Sequence, residues 1–390
     1  MLDFEFRLPT RIIFGRGKET EVGRRILEYG KKILLVYGGG SIKKSGLYEK
    51  VVKSLKENEI TFFELSGVKT NPQVELAYKG IDICRKNGIE FILAVGGGSA
   101  IDTSKCIAAG TLYDGDIWEQ FTDQYLPSFP ALPVGTILTI PASGSEASNG
   151  CVMANGLHKR YFDCDSFRPK FSILNPELCY TVPKYYLACG MADIMWHAFE
   201  RYFTNVKNVD LSNLLCEAVV KAVVDNAKKA FTSQDYDSLA EIMWAGVLAH
   251  NDLLTCGREI DDSVHTFGME IGGRYDLIHG ETLSMIAPTW MRYVYKHDIE
   301  LFKRFATNIM SVDPCNKDDE TIILEGIDKM EQLYKDIGLP VRLSEASVEI
   351  DDLEYLSEMC VRSGPVGHFL PLNYDQVLEV YNLAKSLFGQ

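Results

Sequence analysis

Two glycine triplets, each directly after an apolar run, constrain the fold of this chain more than any other feature. The run KILLVY at 32–37 ends in Gly38-Gly39-Gly40-Ser41, and the run FILAV at 91–95 ends in Gly96-Gly97-Gly98-Ser99. Short apolar runs bounded by glycine are typical of buried strands, and amphipathic stretches of helical length separate them. This alternation predicts βαβ units and a parallel sheet.

The same patterns place further elements in the first half of the chain. An antiparallel pair over Phe4–Phe14, turning near Pro9, is expected at the start. Further strands are expected at 60–65 and 134–140, and helices at 46–57, 72–87 and 99–109.

After about Pro183 the apolar spacing becomes helical and strand signals nearly vanish. We expect an α/β domain over residues 1–182 and an all-helical domain over residues 183–390. Predicted helices are 182–203, 209–231, 236–255, 262–272, 280–297, 320–337, 351–360 and 373–388.

Composition excludes several classes of protein. The 390 residues carry a formal net charge of −14, which repels the phosphate backbone of nucleic acids. No apolar run approaches the roughly 20 residues of a membrane span, and Met1–Arg7 lacks the basic start of a signal peptide. The ten cysteines include no C-x-x-C pair, which predicts free thiols rather than a zinc site. We therefore expect a cytoplasmic protein with neither a nucleic-acid nor a membrane partner.

The glycine triplets suit a dinucleotide. Glycine lets a ligand approach the backbone closely, and the following helix offers free N–H groups and the positive end of its dipole. Gly96–Gly98 therefore suits a pyrophosphate, and Ser99 with Asp102 resembles a capping box. The Rossmann G-x-G-x-x-G motif is absent, and Ser41-Ile42-Lys43-Lys44 offers no acid for a ribose 2′-hydroxyl. This favours NADP(H) over NAD(H).

Four polar side chains in the second half suit a divalent cation. Asp193 and His197 are spaced i, i+4 on one predicted helix, where a simple Asp–His hydrogen bond is the alternative. His265 and His279 would lie ~21 Å apart on one straight helix, so the glycines at 272, 273 and 280 are expected to let the chain fold back. One carboxylate and three imidazoles suit Fe²⁺ or Zn²⁺.

Together these motifs resemble the iron-containing (group III) alcohol dehydrogenase family, in particular its butanol dehydrogenase-like branch. The pattern spans nearly the whole chain and comprises YGGGS at 37–41, NP at 71–72, VGGGSAID at 95–102, LTIPASGSE at 138–146, GMADIMWH at 190–197, His265 and HGET at 279–282. The resemblance implies a dehydroquinate synthase-like fold, a homodimer and four metal ligands: Asp193, His197, His265 and His279.

The resemblance also implies contacts with the cofactor. It places Gly38–Ser41 near the adenosine, and Gly96–Ser99 and Asp102 at the pyrophosphate and its ribose. It places Thr139, Ser143 and Lys159 at the nicotinamide half, Leu178 as an apolar wall against the nicotinamide, and Asn71 among the remaining contacts. From the residues alone, a loop lysine such as Lys159 is usually solvated, and Leu178 equally suits an ordinary packed leucine.

The implied activity is reversible hydride transfer between a nicotinamide and a primary alcohol such as butanol. Alternatives are a zinc polyol dehydrogenase of the same fold and a nucleotide-binding relative with weakened catalysis. The second alternative arises because Met269 stands where the branch commonly has a second histidine, and a thioether cannot relay protons.

Overall fold

A computed structural model describes residues 1–122 and 130–385. Its strands are β1 (Arg11–Phe14), β2 (Lys32–Tyr37), β3 (Thr61–Leu65), β4 (Phe91–Gly96), β5 (Val134–Leu138), β6 (Gly150–Asn155), β7 (His158–Asp163) and β8 (Phe171–Leu174). The predicted parallel sheet is confirmed: six strands pair in parallel in the order β1-β8-β5-β4-β2-β3, and β6 and β7 form a separate antiparallel pair.

The central strands β2, β4 and β5 are almost entirely buried, as expected where helices cover both faces of a sheet. Along β2, Leu34 and Val36 pack in one core cluster, while Ile33 and Leu35 pack in the other. The helices around the sheet are α1 (Val22–Ile26), α2 (Ser41–Lys44), α3 (Leu47–Glu57), α4 (Val74–Asn87) and α5 (Gly98–Leu112).

Both glycine triplets follow neighbouring strands. In the register of β2 and β4, Tyr37 pairs with Val95, so the triplets begin side by side at the carboxyl edge of the sheet. From β2 the chain proceeds outward to β3, and from β4 it proceeds the opposite way to β5. Ligands of open α/β sheets bind at such a switch point.

One expectation for the first half was wrong, and one pair of strands was not predicted. Residues 1–10 form no strand, and Arg11–Phe14 pairs in parallel with β8 instead of forming an antiparallel hairpin. The hairpin of β6 and β7 was missed, although its two-residue loop begins with Gly156 at a φ of 60°, and glycine at the first loop position is typical of a tight hairpin turn.

The second half is helical, and no β-strand occurs between 183 and 385. Its helices are α6 (Lys184–Tyr202), α7 (Asp210–Ser233), α8 (Tyr236–Ala249), α9 (Ser263–Tyr275), α10 (His279–Val294), α11 (Ile299–Arg304), α12 (Asp319–Asp336), α13 (Leu353–Cys360) and α14 (Tyr374–Lys385). The last helix is predicted to run to Phe388, and this end of the prediction lies outside the described residues.

The chain divides into two compact units, Arg7–Val182 and the helical unit from Pro183 onward, which also includes Met1–Phe6. The start of the chain joins the helical unit through its backbone, since the N-terminal amine donates to the Lys207 carbonyl at 3.0 Å and the Leu2 N–H to the Gly257 carbonyl at 2.9 Å. Within the described ranges, no helix has the length and apolar character needed to span a bilayer.

Candidate active site

Helix α6 presents three ionisable side chains on one face. It is buried from Leu187 to Tyr202, which makes it unusual that Asp193, His197 and Glu200 lie along it. Their spacing of i, i+4 and i+7 aligns them on consecutive turns. Buried polar groups of this kind need partners, and those partners come from two other helices.

The other two predicted histidine ligands lie on α9 and α10. His265 lies in the first turn of α9, and His279 is the first residue of α10. The chain does fold back between them, but not at the predicted glycines: α9 continues through Gly272 and ends at Tyr275, and the next residue, Asp276, has a φ of 53°. Gly280 is instead a packing position inside the first turn of α10.

The four predicted ligands converge. The Nε2 atoms of His197, His265 and His279 lie 3.4, 3.6 and 3.7 Å from Asp193 Oδ1. The ligand atoms of Asp193, His197 and His265 all lie within 4.8 Å of one another. The rings of His197 and His265 are stacked, with their centroids 4.5 Å apart.

These spacings fit a shared divalent ion. Asp193 Oδ1 is buried and has no hydrogen-bond partner among residues 1–122 and 130–385. Ligand atoms bonded at ~2.1 Å to one tetrahedral ion lie roughly 3.4 Å apart. The distances of 3.4–3.7 Å from Asp193 Oδ1 to the three Nε2 atoms are close to this value. A carboxylate oxygen with three imidazole nitrogens is also a donor set that Fe²⁺ and Zn²⁺ accept.

Electrostatics keep the carboxylates of this cluster ionised. Burial opposes ionisation of Asp193, but His197, His265 and His279 outweigh it and hold the pKa of Asp193 below its ordinary value. Burial also opposes ionisation of Glu200, but His265, Arg201 and His197 lower its pKa. The ionised carboxylate is the form that binds a cation.

Two members of this cluster were missed from the sequence. Glu200 Oε1 lies 2.9 Å from His197 Nδ1, and its i+3 spacing from His197 was a signal that could have found it. The ring of His250, which follows α8, stacks on His197 with centroids 4.1 Å apart. No sequence spacing connects His250 with the ligands.

Met269 lies half-buried on α9, one turn after His265.

In the other unit, the second glycine triplet is packed against the segment after β5. The Thr139 N–H donates to the Gly96 carbonyl at 3.0 Å. A Cβ on Gly97 would lie 2.5 Å from Ile140 Cγ2, and one on Gly98 would lie 2.7 Å from Ser143 Oγ. The structure therefore brings Gly96–Gly98, Thr139 and Ser143 together, and these glycines are needed for close packing.

The β6–β7 hairpin brings Lys159 to Asn71. Lys159 Nζ donates to Asn71 Oδ1 at 3.2 Å, and both residues are buried. Lys159 is therefore neither solvated nor in a loop. Because the Ala154 N–H donates to the Pro72 carbonyl at 2.8 Å, the hairpin is fixed to the loop that carries Asn71.

The predicted capping box at α5 is wrong. Helix α5 begins at Gly98, and Ser99 Oγ donates to the Thr70 carbonyl at 2.5 Å. Asp102 is buried within the unit, where its carboxylate accepts from Ser145 Oγ at 2.5 Å and from the Val152 N–H at 3.0 Å. These bonds occupy both carboxylate oxygens of the residue expected at the cofactor ribose.

The first triplet leaves an open backbone surface at the end of β2. Among the described residues, a Cβ on Gly39 or Gly40 would meet no atom within 4 Å. Ser41 is exposed at the start of α2. Leu178, after β8, is a partly buried leucine packed against the core.

Both halves of the chain are similar in sequence to known proteins. Residues 9–176 match the family model for iron-containing alcohol dehydrogenases, and residues 187–385 match the model for the C-terminal part of that family. The chain is 40% identical over 389 residues to NADH-dependent butanol dehydrogenase A of Clostridium acetobutylicum, covering 98% of this chain and 99% of that protein. It is 30% identical to the NADPH-dependent aldehyde reductase YqhD of Escherichia coli, covering 97% and 98%.

The fold is also similar to that of a solved structure along nearly the full length of the chain. The crystal structure of NADH-dependent butanol dehydrogenase A from Thermotoga maritima superimposes with a TM-score of 0.94 at 32% identity, covering 99% of each chain. The chain therefore belongs to the iron-containing alcohol dehydrogenase family, and within it to the butanol dehydrogenase-like branch.

Proposed function

We propose that this chain is a metal-dependent, NAD(P)-linked alcohol dehydrogenase and aldehyde reductase that interconverts primary alcohols such as butanol with their aldehydes. The observation that carries the proposal is the convergence of three imidazole Nε2 atoms on Asp193 Oδ1 in a member of this family. The butanol dehydrogenases and the aldehyde reductase among its relatives support the substrate class.

In the proposed reduction, one aldehyde, one hydride and one proton give one alcohol. The nicotinamide carries the hydride. Asp193, His197, His265 and His279 would hold a divalent ion, which would supply Lewis-acid polarisation of the substrate oxygen when bound. Asp193 offsets one of the two positive charges of the ion, so the site keeps a net attraction for an oxyanion. The thioether of Met269 holds no titratable proton, so we assign the proton to water.

We propose that each of the two units binds a different group. We assign the dinucleotide to residues 1–182, where the glycine triplets end neighbouring parallel strands, and the ion to residues 183–390. Among the proposed cofactor contacts, the open backbone at Gly39 and Gly40 suits the adenosine end. The buried pair of Lys159 and Asn71 suits the orientation of a polar group of the nicotinamide half.

The experiment that tests this proposal combines metal analysis with an aldehyde-reduction panel under anaerobic conditions. We expect about one Fe²⁺ or Zn²⁺ per chain, reduction of butyraldehyde, loss of activity with a chelator, and recovery when one of these ions is returned. Activity on glycerol but not on butanol or butyraldehyde would show a polyol dehydrogenase instead. Bound ion and bound cofactor without any turnover would show a weakened nucleotide-binding relative.

We further propose that the adenosine end accepts the 2′-phosphate of NADP(H). No acid stands among the four residues directly after the first triplet, 41–44, and Lys43 and Lys44 are exposed on α2. Glu64, on the neighbouring strand β3, is engaged, since it accepts hydrogen bonds from the Tyr37 and Tyr48 hydroxyls at 2.6 and 2.8 Å. The Lys43 ammonium lies over both of these rings, 5.4 and 4.7 Å from their centroids.

Lys43→Glu is expected to lower kcat/KM for NADPH at least tenfold more than kcat/KM for NADH, because it replaces an attractive charge near the 2′-phosphate by a repulsive one. Steady-state rates of butyraldehyde reduction with each cofactor measure the effect. Lys53→Glu is the matched control, since Lys53 is exposed on α3 and pairs only with Glu57 in the described contacts. An equal loss with both cofactors would contradict the assignment.

We also propose a homodimer in the cytoplasm. Apolar side chains at the start of the chain are exposed, including Phe4 at 54% and Leu8 at 48%, and β1 is an edge strand. Both features favour pairing with a second copy. Light scattering should give about twice the 43.8 kDa mass of one chain.

All ten cysteines are free thiols, which supports a reducing compartment.

A further inference from the structure

We propose that Glu200 is a positioning residue that fixes two of the metal-binding imidazoles in the orientation and tautomer the ion requires. The inference rests on the proposed metal site. It concerns the side of the histidines that faces away from Asp193, where none of the predicted ligands lies.

One carboxylate oxygen of Glu200 contacts both rings. Oε1 lies 2.9 Å from Nδ1 of His197 and 3.0 Å from Nδ1 of His265. The Nε2 atoms of the same rings are those that lie near Asp193. Each imidazole is therefore held between two carboxylates, Glu200 at Nδ1 and Asp193 at Nε2.

The chemical consequence concerns the proton of each neutral ring. A neutral imidazole carries one N–H, and the nitrogen without it offers a lone pair to a metal. A carboxylate beside Nδ1 favours the proton at Nδ1 and leaves Nε2 free for the ion. The contact with His197 is a hydrogen bond, so that ring is fixed directly. The contact with His265 has the distance of a hydrogen bond without its alignment, so Glu200 acts on that ring mainly through its charge.

Glu200 is itself fixed. It is 7% exposed, and Arg201 Nη1 donates to the same Oε1 at 3.0 Å. That guanidinium nitrogen also donates to the His197 carbonyl at 2.7 Å, and the Glu200 carbonyl accepts the Asp261 N–H at 2.7 Å. Arg201 thus compensates the buried negative charge and holds the carboxylate against the two rings.

A purely structural role makes a different prediction. If Glu200 served only to neutralise Arg201, its replacement would lower the free energy of unfolding without altering the affinity for the ion. If it positions the imidazoles, ion affinity and the ligand field must change even where the fold is intact.

The test measures the ion dissociation constant of Glu200→Gln by competition with a chelator, using Zn²⁺ and Co²⁺ as probes, together with the visible spectrum of the Co²⁺ form. Glutamine keeps the size and an acceptor oxygen but removes the charge. We expect affinity to fall about 10–100-fold and the Co²⁺ absorption bands to shift. Glu200→Asp, which keeps the charge on a shorter side chain, should bind the ion more tightly than Glu200→Gln and also provides a second variant where glutamine hinders folding.

Glu217→Gln is the matched control. Glu217 is also a buried glutamate of the helical unit, and it contacts Tyr202, Arg304 and Asn308 rather than the histidines. It should keep the wild-type ion affinity and Co²⁺ spectrum. Wild-type affinity in Glu200→Gln would overturn the role of Glu200 alone. Absence of ion binding by the wild-type chain would overturn the metal site and this role with it.

Discussion

Replacing His265 by alanine should remove the ion and lower kcat/KM for butyraldehyde reduction by at least about 10³-fold. His265 supplies one of the three Nε2 atoms around Asp193 Oδ1, and its ring stacks on that of His197. Its loss therefore removes one ligand and the packing of a second. A factor of 10³ corresponds to about 4 kcal/mol, which is within the several kcal/mol that a Lewis acid contributes to a polarised carbonyl.

The measurement is metal content by elemental analysis, with steady-state kinetics on the same preparation. His297→Ala is the control, because His297 is an exposed histidine of the same unit whose Nε2 contacts Asn205 rather than the cluster. It should keep both metal and activity. Full metal occupancy in His265→Ala would disprove the ligand assignment, and the same requirement applies to His279→Ala.

Much of the site could be predicted because its chemistry is local in sequence. Asp193 and His197 are one helical turn apart, so their proximity follows from helix geometry alone. The two glycine triplets end strands, and parallel strands place their carboxyl ends at one edge of a sheet. The convergence of His265 and His279 required the family resemblance, because periodicity cannot specify where a chain turns back.

Several of the features that were missed depend on contacts between distant segments. The turn between α9 and α10 falls at Asp276, an aspartate with positive φ, although Gly272 and Gly273 are the stronger helix breakers in isolation. Tertiary packing outweighs that preference. Asp102 matches the pattern of a capping box, yet its carboxylate bonds to Ser145 and Val152, which are more than forty residues away. The stacking of His250 on His197 likewise arises only from the packing of the helices.

Gly280→Ala should destabilise the helical unit by about 3 kcal/mol or more and lower its ion affinity, although residue 280 is not a ligand. A Cβ at Gly280 would lie 1.9 Å from the Cys189 carbonyl oxygen and 2.5 Å from its carbonyl carbon. These atoms are helix backbone, so a side-chain rotation cannot relieve the clash. Overpacking that requires backbone shifts costs typically 1–3 kcal/mol and sometimes more.

A shift of α10 caused by this clash should also lower the affinity for the ion. Gly280 directly follows His279 in the first turn of α10 and packs against α6, which carries Asp193 and His197. Moving α10 away from α6 moves His279 Nε2 away from Asp193 Oδ1, where it now lies at 3.7 Å. The Tyr185–Glu281 hydrogen bond, which also joins these two helices, would be strained by the same movement.

Chemical denaturation of the metal-free protein and chelator competition measure the two effects separately. Gly272→Ala is the control: it lies in α9, its Cβ would have 3.4 Å to the Leu277 carbonyl oxygen, and alanine favours the helix by about 1 kcal/mol. It should be neutral or stabilising and keep the ion. If Gly280→Ala folds with wild-type stability and ion affinity, the close approach of α10 to α6 does not position His279, and the three-histidine geometry must be fixed by other contacts.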